Sequence, residues 1–436
     1  MIKSRELTIP DDWKVKKISW LFNLIASGST PPSNKDEYYN KDIAWLNTGD
    51  LTDNYVESPS KFISNRALQD FSTLKVYPKE SLVMAMYGAT IGKLGITTFE
   101  TTTNQACCVF SQPNEIDMKF MFYWLMGNRE GIIQMSQGGG QPNISQGIIK
   151  SIRLAVPNLE TQKRIVNFID EKFHEINSLI LDKVRLIQLL EEKRQSTIAE
   201  TVTKGLNPNV KMKDSGVEWI GEIPEHWTIK KIKHISNLVG SGKTPKGGSE
   251  IYPESGVLFL RSMNVHYDGI RLKDIVHITP EIDEDMRSTR VKSKDVLLNI
   301  TGASIGRSCI VPESLGKANV NQHVCIIRSN TKVVVPELLS KIMASNFIMQ
   351  QILMSQNGSS REGLNFTQVK NLEFPLTRDL QEQIEIANHI LVETNKINSL
   401  IGMIEEQIQK LKEYRQSLIY EAVTGKIDVR DFEVKA

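Results

Sequence analysis

The sequence is poor in the residues that staple, ligate or anchor a chain. Its four cysteines, Cys107, Cys108, Cys309 and Cys325, form no Cys-x-x-Cys pair and lie near no histidine at metal-ligand spacing. That excludes a disulfide framework and a zinc module, and leaves buried, reduced thiols as the expectation. The seven histidines are scattered, and no serine or cysteine nucleophile has an assignable base. No uninterrupted apolar run is long enough to span a bilayer, and Met1-Ile2-Lys3-Ser4-Arg5-Glu6 lacks the apolar core of a signal peptide, so a cytoplasmic chain with no membrane partner is expected. An excess of one charge is missing too: 53 basic against 51 acidic residues leaves +2, too little to announce a nucleic-acid binder by itself.

What is present is an ordinary globular composition on a chain too long for one core. With 40% hydrophobic and 24% charged residues there is no case for wholesale disorder, and 436 residues call for two domains plus connecting structure. Basic residues cluster locally. Lys14, Lys16 and Lys17 follow Trp13, and Lys230, Lys231 and Lys233 follow Trp227, either as phosphate contacts or as plain solvated surface.

These two clusters belong to a tandem duplication. Ile9-Pro10-Asp11-Asp12-Trp13 recurs as Ile223-Pro224-Glu225-His226-Trp227, an offset of 214 (223 − 9). Gly28-Ser29-Thr30-Pro31 recurs as Gly242-Lys243-Thr244-Pro245, and Gly88-Ala89-Thr90-Ile91-Gly92-Lys93 as Gly302-Ala303-Ser304-Ile305-Gly306-Arg307, both at that offset. The offset then grows, as loop insertions in the second copy would make it. Asn104-Gln105 pairs with Asn321-Gln322 at 217 (321 − 104), and Glu191 to Thr203 matches Lys412 to Thr424 at 221 (412 − 191). Two copies cover nearly the whole chain.

Each copy changes periodicity part-way. Residues 10–157 and 224–376 are rich in Gly, Pro, Asn and Thr, with short β-branched or apolar runs such as Ser81 to Met86 and Asp295 to Ile300. These predict short strands joined by long loops, with helices over Lys119 to Met126 and Pro336 to Met343. A long heptad pattern follows in each copy. In the second, Ile390, Ile397, Ile404, Leu411 and Leu418 recur every seven residues, with Ile401 and Ile408 on the same stripe. In the first, the equivalent seam runs Ile169, Ile176, Lys183, Leu190 and Thr197, with Phe173, Ile180 and Ile187 beside it; Lys183 would favour one register over others. Helices over about 160 to 203 and 381 to 424, each about 65 Å long, cannot leave such stripes in water. They either pair within the chain or recruit another protein, and the two are compatible.

Enzymatic signatures fail where they come nearest. Asn237-Leu238-Val239-Gly240-Ser241-Gly242-Lys243-Thr244 ends like a phosphate-binding P-loop, but Asn237 stands where the first glycine is needed and Pro245 follows at once. Gly138-Gly139-Gly140 is a polar loop rather than a dinucleotide fingerprint, and Thr30-Pro31-Pro32-Ser33 lacks the amide or acid of an adenine methyltransferase motif. Catalysis and cofactor binding are not expected of this chain.

The assembled residues resemble the specificity subunits of type I restriction-modification systems. The strongest marker is the junction Asn207-Pro208-Asn209-Val210-Lys211-Met212-Lys213-Asp214-Ser215-Gly216-Val217-Glu218-Trp219-Ile220-Gly221-Glu222-Ile223-Pro224-Glu225-His226-Trp227, which is similar to the family's entry into its second recognition domain. The paired Gly-x-Thr-Pro, Gly-Ala-Thr/Ser-Ile-Gly and Asn-Gln motifs and the Arg-Gln-Ser helix ends support it, over essentially the full length. The resemblance implies an α+β protein with pseudo-two-fold tandem repeats: an N-terminal target-recognition domain (1–157), a long helix (158–206), a linker and C-terminal target-recognition domain (207–376), and a second long helix with its tail (377–436). The helices would pair as an antiparallel coiled coil, presenting matching loops to double-stranded DNA about one turn, roughly 34 Å, apart. It implies as partners two methyltransferase subunits and, through them, restriction subunits. S-adenosylmethionine, ATP and Mg would sit in those partners and no cofactor in this chain.

Under that resemblance, polar side chains on loops are the candidates for reading DNA. In the first copy they are Thr30, Asn47, Thr48, Asp50, Tyr87, Thr90, Lys93, Asn104, Gln105, Gln137, Gln141 and Asn143. In the second they are Lys243, Thr244, Arg261, Ser262, Asn264, Ser304, Arg307, Asn321, Gln322, Asn357, Ser359 and Arg361. Motifs shared by both copies suit holding a loop in shape; unshared residues, such as Arg261 opposite Asn47 and Arg361 near Gln141, suit reading. A coiled-coil assembly protein whose globular domains bind protein or sugar ligands is the alternative. It explains the helices but not why two domains should share loop motifs and differ in charged tips.

Overall fold

A computed structural model describes residues 9–136, 143–245, 252–356, 363–429 and 432. The chain forms two compact units, residues 1–183 with 405–436 and residues 184–404. The two long helices, α2 (Leu159–Lys204) and α4 (Leu380–Val423), each contribute one end to each unit.

In the first unit, β1 (Phe22–Ala26), β2 (Asn54–Val56), β3 (Leu82–Ala85), β4 (Leu94–Thr97) and β5 (Cys107–Pro113) form a five-stranded sheet in the order β1-β5-β3-β4-β2. All its pairings are antiparallel except β2 with β4. The predicted strand over Ser81 to Met86 is β3, buried along its whole length because both faces are covered. One face packs on α1 (Met118–Gly127), where Phe120, Met121 and Leu125 meet Leu82, Met84, Cys108 and Phe110. Asp117 starts that helix by accepting the backbone N–H groups of Lys119 and Phe120, both at 2.9 Å. The other face covers a smaller cluster around Leu46, Tyr77 and Val109, next to a three-stranded sheet of Ile43–Leu46, Lys61–Ile63 and Thr102–Thr103.

The second unit repeats the plan with four strands. β6 (Ser236–Ser241), β7 (Val296–Asn299), β8 (Ser308–Ile310) and β9 (Val324–Ser329) pair antiparallel in the order β6-β9-β7-β8. Helix α3 (Pro336–Met343) covers one face, starting at the predicted proline, whose fixed φ and missing N–H suit a first helical position. Gly240 and Ser241 lie within β6, so the stretch that mimics a phosphate-binding loop is partly strand.

Each unit closes its core with helix ends from far along the chain. In the first, Ile165, Val166 and Ile169 of α2 join Ile419, Ala422 and Val423 of α4; in the second, Ile198 and Val202 of α2 join Ile386, Ala387 and Ile390 of α4. Cross-helix hydrogen bonds set an antiparallel register. In the first unit Arg415 donates to Asn177 Oδ1 at 2.7 Å and Lys183 to Gln407 Oε1 at 2.6 Å; in the second Arg194 donates to Asn398 Oδ1 at 2.7 Å. Lys183, the polar interruption of the first seam, thus has a polar partner across the pair. Along the seam, Ile169, Ile176, Ile390, Ile397, Ile404 and Leu418 are buried, while Ile180, Ile187, Leu190, Ile401, Ile408 and Leu411 are half-buried.

Candidate nucleic-acid interface

In the first unit, segments from five parts of the sequence meet at one end of the sheet. The Gly28 to Pro31 loop meets the turn that leads into β5, because Thr30 Oγ1 donates to Gln105 Oε1. Asn104 ties that turn to a third loop by donating its backbone N–H to Leu46 O at 2.9 Å. Met86 donates its backbone N–H to Ala106 O at 2.8 Å, and Tyr87, next in sequence, bridges to Asn143. The second unit builds the same junction. Thr244 donates its backbone N–H to Gln322 Oε1 at 2.9 Å, Asn321 to Leu260 O at 3.0 Å, Ile300 to His323 O at 3.0 Å, and Thr301 bridges to Gly363.

The repeated glycines explain why the motifs repeat. A Cβ on Gly28 would lie 1.7 Å from Thr103 O, and one on Gly242 1.6 Å from Val320 O, so both loops cross a neighbouring backbone at a distance only glycine permits. In the Gly-Ala-Thr/Ser-Ile-Gly turns all four glycines have positive φ, from 66° at Gly88 to 83° at Gly306. These motifs are scaffold, and they present the side chains between and beside them.

Several candidate readers are occupied in shaping their own loop. Asn47 accepts the Gly49 N–H at 2.8 Å and donates to Ser60 Oγ at 3.0 Å, while Asp50 accepts the N–H groups of Asn47 at 2.8 Å and Ser60 at 3.0 Å. Asn104 and Asn321 cap their turns by accepting the N–H of Ala106 at 3.1 Å and His323 at 3.0 Å. Asn264 is fully buried, accepting the Arg261 N–H and donating to Arg271 O, both at 2.9 Å, so its amide has no face open to a ligand. Arg261 itself donates to Asp274 O at 2.7 Å. Thr90 donates to Tyr87 O at 3.4 Å, and Asn299 joins the Ser262 carbonyl (2.8 Å) to Ser304 Oγ (3.1 Å).

The exposed members are Thr30, Tyr87, Lys93, Gln105 and Asn143 in the first unit and Lys243, Thr244 and Gln322 in the second; Thr48, Ser262, Ser304 and Arg307 are half-buried. Gln137, Gln141, Asn357, Ser359 and Arg361 lie outside the described residues. Sequence reasoning passed over Thr301 and His323, which touch each other in the second cluster, and the exposed Met263 and Tyr267, close in sequence to Ser262 and Asn264. The available signal was difference at matched positions: Thr301 stands where the first copy has Tyr87, and His323 where it has Ala106.

The basic clusters near Trp13 and Trp227 are partly neutralised. Lys16 pairs with Glu115, and Lys231 with Glu373 at 2.7 Å, each beside the strand that leads into a long helix. Apolar side chains instead face water along the helices. Leu179 and Leu181 do so in the first unit, and Val184, Leu186, Leu189, Leu391, Val392, Leu400 and Met403 in the second.

Among the described residues no cluster of His, Cys, Asp or Glu is arranged to hold a metal ion. An open groove of about 620 Å³ in the first unit, lined by Trp124, Met135 and Tyr420 among others, contains no histidine or cysteine. All four thiols are buried, and burial pushes Cys108, Cys309 and Cys325 up to about 12 and Cys107 higher still, the opposite of a nucleophile's requirement. No helix among the described residues is long and apolar enough to cross a membrane.

Two α+β units share a loop scaffold, differ in what it displays, and are joined by long helices: the architecture is a duplicated one, with unlike tips on like supports. Residues 10–186 and 224–410 each match the type I restriction modification DNA specificity domain, and the chain belongs to that family, the non-catalytic DNA-recognition subunits of type I restriction-modification enzymes. It is similar to the type I restriction enzyme MjaVIII specificity subunit of Methanocaldococcus jannaschii, 22% identical over 98% of this chain and 95% of that protein. It is also similar to the EcoBI specificity subunit of Escherichia coli, 23% identical over 81% of this chain and 74% of that one. Among solved structures, a chain from a study of complex assembly and conformational transition of the type I R-M system shares the fold with a TM-score of 0.70, at 14% identity, over 96% of this chain and 99% of that one. The HsdS subunit from Thermoanaerobacter tengcongensis shares it at 0.53, also at 14% identity, over 96% and 98%. The reading as an assembly protein with protein- or sugar-binding heads is not favoured.

Proposed function

We propose that this chain recognises a bipartite, asymmetric target in double-stranded DNA, one half-site per unit, while carrying two methyltransferase subunits and, through them, the restriction subunits. The observation that carries this is the pairing of a common loop scaffold with unlike side chains. Tyr87 and Ala106 stand in one cluster where Thr301 and His323 stand in the other, at positions whose backbone hydrogen bonds match. A scaffold repeated for a single ligand would repeat its reading residues as well; two scaffolds with different tips suit two different short sequences.

The helices supply the second part of the role. Leucines half or more exposed, Leu181 at 69% and Leu189 at 52%, are apolar surface suited to cover by a partner subunit. S-adenosylmethionine, ATP and Mg then belong to the partners, and the assembly works in the cytoplasm. Binding of the chain assembled with its methyltransferases to specific and random duplexes over a range of salt tests the reading. A preference for one bipartite sequence, with affinity falling as salt rises, supports it; no preference among duplexes overturns it.

A further inference from the structure

The two loop clusters share a glutamine and differ in what holds it. In the first unit the hydroxyl of Thr30 binds Gln105 Oε1. A hydroxyl both donates and accepts, so that partner tolerates the amide in either orientation. In the second unit Gln322 Oε1 accepts the backbone N–H of Thr244 at 2.9 Å, and a backbone N–H can only donate. Oxygen is therefore fixed on that side and nitrogen on the other.

The nitrogen side meets His323. Its backbone is placed as Ala106 is in the first unit, each carbonyl taking the N–H of the residue after β7 or β3, Ile300 or Met86. Its ring is engaged at both ends, with Nδ1 2.6 Å from Thr301 Oγ1 and Nε2 3.4 Å from Gln322 Nε2. Because Gln322 Nε2 can only donate, His323 Nε2 accepts, and the ring proton sits on Nδ1 and is given to Thr301. Gln322 is left with one N–H and one oxygen lone pair unspent by these bonds, on an exposed side chain. A donor and an acceptor side by side are what an amide offers to the N7 and N6 edge of adenine.

We infer that Thr301 and His323 are positioning residues for specificity at the second half-site, a relay that fixes which end of the Gln322 amide is donor and which acceptor toward a base edge. Gln105, with Ala106 beside it, has no such relay, so its amide turns to suit the base it meets. The inference rests on the DNA-reading role proposed above. The second recognition unit discriminates more sharply at the base pair facing Gln322 than the first does at the one facing Gln105.

The test uses the complete assembly with its methyltransferase subunits, methylating a duplex library randomised in turn across each half-site. Thr301→Val and His323→Ala lose discrimination on the order of tenfold at one base pair of one half-site and leave the other half-site as it was. Thr301→Ser, which keeps the hydroxyl, behaves as wild type. Equal weakening at both half-sites, no change at either, or serine behaving as valine overturns the relay. Wild-type assembly without preference for any duplex sinks the underlying DNA reading instead, which separates the two failures.

Discussion

Gln162 and Gln383, 221 residues apart (383 − 162), pin the entry of each long helix in the same way. Gln383 is fully buried, donates to the carbonyls of Thr377 at 2.9 Å and Val333 at 3.0 Å, and accepts the Val335 N–H at 2.8 Å; Gln162 does likewise with Pro157, Glu115 and Asp117. Gln383→Ala strands three backbone groups, at a cost of about 2–4 kcal/mol, read as a lower midpoint in urea. Gly242→Ala is expected to fail similarly, because its Cβ would overlap the Val320 carbonyl, whereas Gly302→Ala meets open space and carries only the strain of its positive φ. The thiols give a pH prediction. Each is protonated in the folded chain well above the ordinary cysteine value of 9, so the folded state binds more protons than the unfolded one between about pH 9 and 12. Stability from this source is complete below pH 9 and is lost as pH rises through that window. Iodoacetamide at pH 8 should leave all four cysteines unmodified until denaturant is added; rapid labelling of the folded protein would contradict their burial.

At the scale of elements, the heptad stripe and the hydrogen bonds across it act together. Ile390 is fully buried among Ile198, Val202 and Ile386, so Ile390→Ala should cost about 2–5 kcal/mol in the second unit, seen in chemical denaturation. Leu181→Ser on the water-facing side should change stability by less than about 0.5 kcal/mol but weaken co-purification with methyltransferase subunits. Retention equal to wild type would show that this face is not the docking surface. The helices were legible because burial on a helix imprints a period, and the observed Leu159–Lys204 and Leu380–Val423 fall within a residue or two of the expected spans. Strands β3 and β7 were legible as short apolar runs for the same reason, each being covered on both faces. The buried glutamines were not, since a lone Gln in a polar helix turn carries no periodic mark; only its recurrence at the duplication offset betrays it.

For the whole molecule, the duplication visible in the sequence is the duplication of the fold, down to the glycines that let Gly28 and Gly242 cross a neighbouring backbone. The candidate site was legible only as a neighbourhood. Motif matching picks out what the copies share, and shared residues such as Asn104 and Asn321 prove to be turn caps. The contact between Thr301 and His323 joins residues whose relation depends on where two separate turns end, which no local pattern encodes. The most direct measurement is a map of methylated bases in DNA from cells expressing this chain with its methyltransferase subunits, compared with cells lacking it. The expected result is one motif made of two unlike short half-sites separated by bases of no fixed identity. An uninterrupted palindrome, or a map unchanged by removing the chain, would contradict it.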